Sequence, residues 1–336
     1  MAENPAAKIM KLVDQVAAGA LAGDPDAINA ALEEGKSLTE DGGSIINCAG
    51  ELGLTALSRV VMHVNPHAAI RLLFAAGADV NTRNTIGWTT LMWAACCLQV
   101  DKNVIIRLLE AGADITALND DKTALKIAIS TGFKNMDNLL EELEALDAYE
   151  LKKIDRTTLS ITTAEGRKNI AALLKTTEKL AGSGSKLANL TDLVRRRMGA
   201  IVVLEATEGL VHDISQRRDI TQIKGHLENG AVASAMGANG LPLIIEACNH
   251  GLPDVVKLLL RAGANIGAQN TNGETAVQIA RKAGHNDIAE AIIEEAGTRA
   301  LRQPPALTGG DRSTFTCELS SEYPRGIRAA LGCNCM

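Results

Sequence analysis

Residues 104–128 read VIIRLLEAGADITALNDDKTALKIA. An amphipathic run stops at Gly-Ala-Asp, a polar turn follows, and Thr123-Ala124-Leu125 opens a second amphipathic run. The stretch is either one element of a unique fold or one copy of a repeated unit. Self-comparison separates the two, because similarity at a fixed period marks a repeat architecture. GLTALSRVV begins at Gly53, GWTTLMWAA at Gly87 and DKTALKIAI at Asp121, each 34 residues after the last. Thr157 stands at the same interval after Thr123. NGLPLIIEA and NGETAVQIA bring Gly240 and Gly273 into the series at a period of about 33.

Each of these openings is followed by a second apolar run, among them AIRLLFAAGAD, IIRLLEAGAD and VVKLLLRAGAN. The physical chemistry of one unit is readable. Thr89, Thr123 and Thr275 stand where a side-chain oxygen caps a first helix. Leu91 and Ala94, or Leu125 and Ala128, share one helical face. Leu pairs at 108–109 and 258–259 mark a second helix, and Gly77, Gly112 and Gly263 follow second helices where a left-handed C-cap is needed. Polar turns such as QNTNG then reverse the chain. One unit cannot bury its apolar face alone, and stacked neighbours can.

Thr-x-Leu-x-x-Ala followed by Leu-Leu-x-x-Gly-Ala-Asp resembles the ankyrin-repeat family. The match is specific over 53–84, 87–118, 121–143, 240–268 and 273–297. Degenerate units fall near 8–35, 157–180 and 189–230; in the first, Asp24 is the expected N-cap and Pro25 the first helical residue. The resemblance implies an all-α solenoid of about eight helix-turn-helix repeats joined by β-hairpin-type connections. Two stacks are expected, 1–181 and 187–297, with 182–186 (GSGSK) as a linker and 298–336 as an irregular tail. Departures are visible too. Pro242 replaces the capping Thr and predicts a distorted hairpin, the insertion 36–52 lengthens the first connection, and a charged segment at 144–156 replaces a hairpin.

Composition narrows the function. The chain has 34 Lys+Arg against 40 Asp+Glu, an acidic balance that weighs against nucleic-acid binding. Hydrophobic residues make up 46% and aromatics 2%, so Ala, Leu, Ile and Val must build the core. MAENPAAKIM lacks a basic segment before a long apolar run, and the apolar stretch GAIVVLEA is too short to span a bilayer. Seven irregularly spaced cysteines do not form a disulfide framework, which favours a reducing compartment and a cytoplasmic location.

The motifs with chemical potential have plain readings beside the sharp ones. Gly182–Lys186 lacks the spacing and the preceding strand of a phosphate-binding loop. His63 and His67 have ligand-like spacing but flank a turn at Asn65-Pro66. Cys96-Cys97 serve as small apolar residues or as a redox pair. Arg195-Arg196-Arg197 is a solvated helix face or a docking patch for an acidic partner. Cys333-Asn334-Cys335-Met336 fits the C-a-a-X frame, which would make Cys333 a farnesylation site; coincidence is the alternative. A membrane contact is expected only through that lipid, with Cys335 or Cys317 as a second anchor. Zinc binding by Cys317, Cys333 and Cys335 would lack a fourth ligand. No cofactor and no metal is expected.

The family resemblance also places candidate contact residues. Trp88 takes the variable slot at a hairpin tip, and Trp93 takes the first-helix slot that faces the concave surface in this family. Arg59, Ile127 and Glu246 occupy that concave slot in their own units. Arg83, Asn84, Asp120, Asp121, Asn270 and Asn272 flank it in the hairpins. Tryptophan is enriched in interface hot spots; the plain alternative is that Trp93 fills a gap in an aromatic-poor core. The implied function is a non-catalytic scaffold or adaptor for a protein partner. The alternatives are a structural subunit held in a larger assembly by its tail, and an enzyme with a site in 144–215.

Overall fold

The structure is a computed structural model that describes residues 4–39, 44–50, 52–63, 66–97, 102–145, 159–181 and 184–302. Asn4 caps α1 (Pro5–Ala22), and the chain turns at Gly23 with φ 72°. Asp24 then caps α2 (Pro25–Lys36), its carboxylate accepting from the N–H groups of Asp26 and Ala27 at 3.0 Å each. The two helices approach closely at Gly19, where a Cβ would lie 3.2 Å from Ile28 Cγ1. After a short 3-10 turn, Ile45–Asn47, come α3 (Ala56–Val60), α4 (His67–Ala75), α5 (Thr90–Cys96) and α6 (Lys102–Glu110).

Outside the centre, the features anticipated from sequence recur from one helix pair to the next. Thr55, Thr89, Thr123 and Thr275 each accept a hydrogen bond from the backbone N–H three residues on. The outer helices close alike. Gly77, Gly112 and Gly263 have φ of 89°, 89° and 94°, and the next residue donates five positions back, as in Ala113 N to Leu108 O at 2.9 Å. Isolated antiparallel bridges at Arg83–Thr89, Asn119–Lys122, Met236–Pro242 and Gln269–Thr275 make the connections hairpin-like fingers. Pro242 was expected to distort its hairpin; the bridge forms there, and only the side-chain cap is missing.

Adjacent fingers are tied by side chains. Asn47 Oδ1 accepts from Asp79 N, and Asn81 Oδ1 accepts from Asp114 N, both at 2.8 Å. Asn81 Nδ2 also donates to Gly112 O at 2.9 Å, and Ser234 Oγ accepts from Asn265 N at 3.1 Å. A short polar residue one period earlier thus satisfies a backbone N–H that the turn itself leaves free.

The centre departs from the pattern. Residues 121–143 were expected as a helix pair, yet α7 (Ala124–Ala145) runs through them as one helix of 22 residues. In the last two helix pairs a left-handed glycine follows the inner helix, Gly251 (φ 64°) and Gly284 (φ 82°). In α7 the glycine is Gly132, which stays helical and allows close packing. A Cβ there would be 3.1 Å from the Cδ1 atoms of Ile161 and Ile201. Within 157–180 the described residues form a single helix, α8 (Ala164–Leu180), capped by Thr163. Residues 189–230 hold most of a 30-residue helix, α9 (Lys186–Ser215), followed by α10 (Ile220–Glu228) and Gly230 at φ 90°. Ser185 caps α9 and Lys186 opens it, so the end of the expected linker is helical; 182 and 183 lie outside the described residues.

Helix α9 is buried on several sides, at Val194, Arg197, Ile201, Leu204, Leu210 and Ile214 among others. It packs on α6, α7 and α8 and also on α10 and on α11 (Leu243–Asn249). The two stacks read from sequence, as one bent solenoid or two jointed pieces, meet along α9. Beyond α11 come α12 (Pro253–Arg261), α13 (Ala276–Lys282) and α14 (Asn286–Arg302). The tail was placed from 298, but α14 continues to Arg302, and Arg299 on it donates to Ala264 O at 2.8 Å and to Leu260 O. Residues 303–336, with Cys317, Cys333 and Cys335, lie outside the described residues. One cluster of buried apolar side chains extends from Leu12 to Ile292. Among the described residues no helix is long and apolar enough to cross a membrane.

Candidate interaction surface

The two tryptophans sit together at the start of α5. Their ring centroids are 5.2 Å apart with planes inclined at 54°, an offset contact of the kind aromatic quadrupoles favour. Asn84 builds the turn that presents them. Its Oδ1 accepts from Trp88 N at 2.8 Å and Ile86 N at 3.1 Å, and its own N–H donates to Trp88 O at 2.9 Å. Asn84 is buried and organises the finger, so its side chain is not at the surface. Both indoles are half-buried, and Trp93 Nε1 is buried with no hydrogen-bond partner.

Arg59, Trp93 and Ile127 occupy equivalent positions on α3, α5 and α7, which pack in series. Arg59 is ion-paired with Asp14 of α1. Ile127 is buried at 5% exposure and belongs to the core. Arg83 is exposed and spans two fingers, donating to Gly87 O at 2.6 Å and Leu118 O at 3.1 Å. Asp120 and Asp121 are exposed at the next tip with φ of 48° and 59°. Two successive positive φ values are the requirement of a tight hairpin turn.

Asn270 and Asn272 stand on a later finger, and Glu246 lies behind the 236–240 finger, whose Gly237 lines one pocket with Arg83. Glu246 is buried on α11, neither carboxylate oxygen has a hydrogen-bond partner among the described residues, and burial pushes its carboxyl above the usual range. Its Oε2 would be 2.1 Å from a Cβ at Gly237, and His250 Nε2 is 3.9 Å from its Oε1. Asn270 is a turn organiser like Asn84, accepting from Asn272 N at 2.9 Å and Glu274 N at 2.8 Å; Asn272 is exposed.

The basic run on α9 splits by geometry. Arg195 pairs with Glu178 and Arg196 with Asp192, both at the surface. Arg197 was read as part of a solvated or docking face; it is buried at 2% exposure and donates to the carbonyls of Ala95, Cys96 and Cys97. It thus closes the C-terminus of α5 from 100 residues away. Cys96 and Cys97 are half-buried free thiols; burial raises the Cys96 thiol, with Arg197 opposing. Cys248 is buried, its thiol pushed up to about 12. His63 and His67 join no group of three metal-ligating side chains among the described residues. In the central region Arg167 pairs with Glu205 at 2.8 Å, and Thr191 donates to Leu187 O at 2.7 Å with its Oγ1 3.1 Å from that of Thr177, so these polar groups serve helix packing.

The sequence reading passed over one feature. Leu52 and Ile86 are exposed beside the tip glycines of two successive fingers, and Leu118 is exposed on the third just before its Asn119–Lys122 bridge. In a chain rich in Leu and Ile they look like core residues. Only Gly53 and Gly87, each next to one of them, hint at a turn.

Helix pairs joined by tied fingers and stacked on a continuous apolar core define a helical-repeat protein. A family model described as ankyrin repeats, in three copies, matches residues 16–119 and 223–307, more than half of the 336 residues. The chain belongs to the ankyrin-repeat family. The unmatched interval, 120–222, contains α7, α8 and α9. The RelA-associated inhibitor of Mus musculus is 33% identical over 109 residues, which is 32% of this chain and 12% of that protein. The chain thus matches a small part of the length of that relative.

Proposed function

We propose that this chain is a non-catalytic scaffold that holds one protein partner against the α3–α5–α7 face and its finger tips. The observation that carries the reading is the Trp88–Trp93 pair. It concentrates both tryptophans of a chain with 2% aromatics at one half-exposed place. Aromatic anchors of this size remove much area from water at low entropy cost. A face tied together by side-chain ladders is already ordered, so little further entropy is lost on binding. Membership of the ankyrin-repeat family supports protein recognition rather than chemistry. The relative is named as an inhibitor associated with RelA, and a protein target of comparable kind is part of the same proposal.

A photo-crosslinking aromatic amino acid in place of Trp88 tests it, with the same group in place of exposed Lys257 on α12 as the control. In lysate from the native source, one protein is expected to crosslink in stoichiometric amount from position 88 and not from 257. Equal crosslinking from both positions to several neighbours would make the chain a built-in subunit of an assembly and overturn the adaptor reading.

A further inference from the structure

We propose that Leu52, Ile86 and Leu118 form an apolar ridge that receives a short extended segment of a partner protein, one apolar side chain per finger, with a basic residue at the Asp120–Asp121 end. The proposal rests on the scaffold reading and specifies the segment recognised. The three side chains are 70%, 58% and 53% exposed, the highest values among the large hydrophobic residues described. Their tips adjoin. Gly53 O accepts from Thr85 N at 3.1 Å, and Arg83 bridges Gly87 O and Leu118 O. A Cβ at Gly87 would be 2.5 Å from Asn119 Oδ1. The row is confined to these fingers: at the later tips stand Asn239-Gly240 and Asn272-Gly273.

Area and charge choose the occupant. Three such side chains offer on the order of a few hundred Å², well short of the roughly 800 Å² per partner that a stable dimer buries. A second copy would also bring a net charge of −6 against −6. A linear segment needs less area. Packed inner helices are about 8–10 Å apart, which sets the interval between fingers. An extended segment of polyproline II form repeats its face every third residue, about 9 Å along its axis. Apolar residues at every third position would therefore meet successive fingers. At the far end the Asp120 and Asp121 carboxylates are exposed and make no ion pair among the described residues. Lys126 Nζ bonds the Asp121 carbonyl at 2.9 Å, and Lys122 is exposed beside them. The carboxylates are left to attract a Lys or Arg of the partner, a contact weakened by salt.

The test is selection from a random 12-residue peptide library displayed on phage against the full chain. Affinities of synthetic winners are then measured by fluorescence polarisation. Winners are expected to carry apolar residues three apart and a basic residue at one end. Ile86→Glu is expected to weaken them at least tenfold, with an unchanged circular dichroism spectrum because the side chain touches solvent. The double change Asp120→Asn, Asp121→Asn, which keeps residues tolerant of a left-handed turn, is expected to weaken them severalfold and flatten the salt dependence. Winners that ignore Ile86→Glu but fail on Trp93→Ala overturn the ridge and leave the scaffold reading standing. Failure to recover any peptide sensitive to Ile86, Trp88 or Trp93 overturns both. Apolar residues spaced by seven would indicate a bound helix and overturn the extended form. Self-association in sedimentation that Ile86→Glu abolishes would give the ridge to a second copy.

Discussion

The paired helices and the central α7–α9 block solve the same packing problem by different means. In most of the repeats, a capping Thr and a left-handed glycine settle the helix ends within a few residues, and a side-chain tie reaches only to the next finger. In the centre, the decisive contacts come from distant sequence: Arg197 closes α5, and Gly132 is crowded by Ile161 and Ile201. A glycine therefore means one thing in a repeat and another in the block. Gly284 is required for its backbone, with open space where a Cβ would go, whereas Gly132 serves by its small size, in a backbone any residue can adopt.

The largest effect that could break this contrast is at Arg197. Arg197→Ala strands three carbonyls at the end of α5 and empties a buried site. Hydrogen bonds to a charged group contribute about 1.5–3 kcal/mol each, so a loss of about 3 kcal/mol or more is expected in urea unfolding. A loss under about 1 kcal/mol would mean that α5 ends without help from α9.

The glycines come next. Gly132→Val is expected to cost about 2 kcal/mol by overpacking, while Gly132→Ala is close to neutral because helix propensity offsets the crowding. At Gly284 the order reverses in kind: Ala alone costs about 1–2 kcal/mol through the left-handed backbone. If Gly132→Val costs no more than Gly132→Ala, or Gly284→Ala costs nothing, the two roles have been misassigned.

The smallest effect concerns Glu246. Its carboxyl is raised by burial above an ordinary value near 4.5, so the folded chain holds that proton more tightly than the unfolded chain does. Stability then falls as pH rises from 4.5 through the raised value, and the cost is complete above it. Glu246→Gln is expected to gain on the order of 1 kcal/mol at pH 7.5, with the gain vanishing at acid pH. His250 acts in the opposite sense. Burial and Arg217 lower its pKa, so its contribution is lost as pH falls below 6.5. Thermal melts of both proteins from pH 4 to 8 separate the two, since His250 is common to both.

Much of this was legible in the residues. Thr89, Thr123, Thr275 and Asp24 cap the helices they were assigned, and Gly77, Gly112 and Gly263 close the outer helices as left-handed residues. These signals are local, and local hydrogen bonding decides them. The expected break inside 121–143 was not legible, because Gly132 reads the same whether it ends a helix or admits a neighbour. Within the candidate site, the Trp pair could be noticed from composition. The internal use of Asn84 and Asn270, the burial of Glu246 and the exposure of Leu52, Ile86 and Leu118 could not.

The period, the caps and the glycines are enough to specify helix pairs, their fingers and the ankyrin-repeat family, because each depends on groups within one turn of one another. The continuity of α7, the central position of α9 and the capture of the α5 carbonyls by Arg197 depend on surfaces brought together from across the chain. Whether an apolar side chain lies in the core or on a ridge is likewise settled only when neighbouring fingers stack, since burial is a property of the assembled surface and not of the residue.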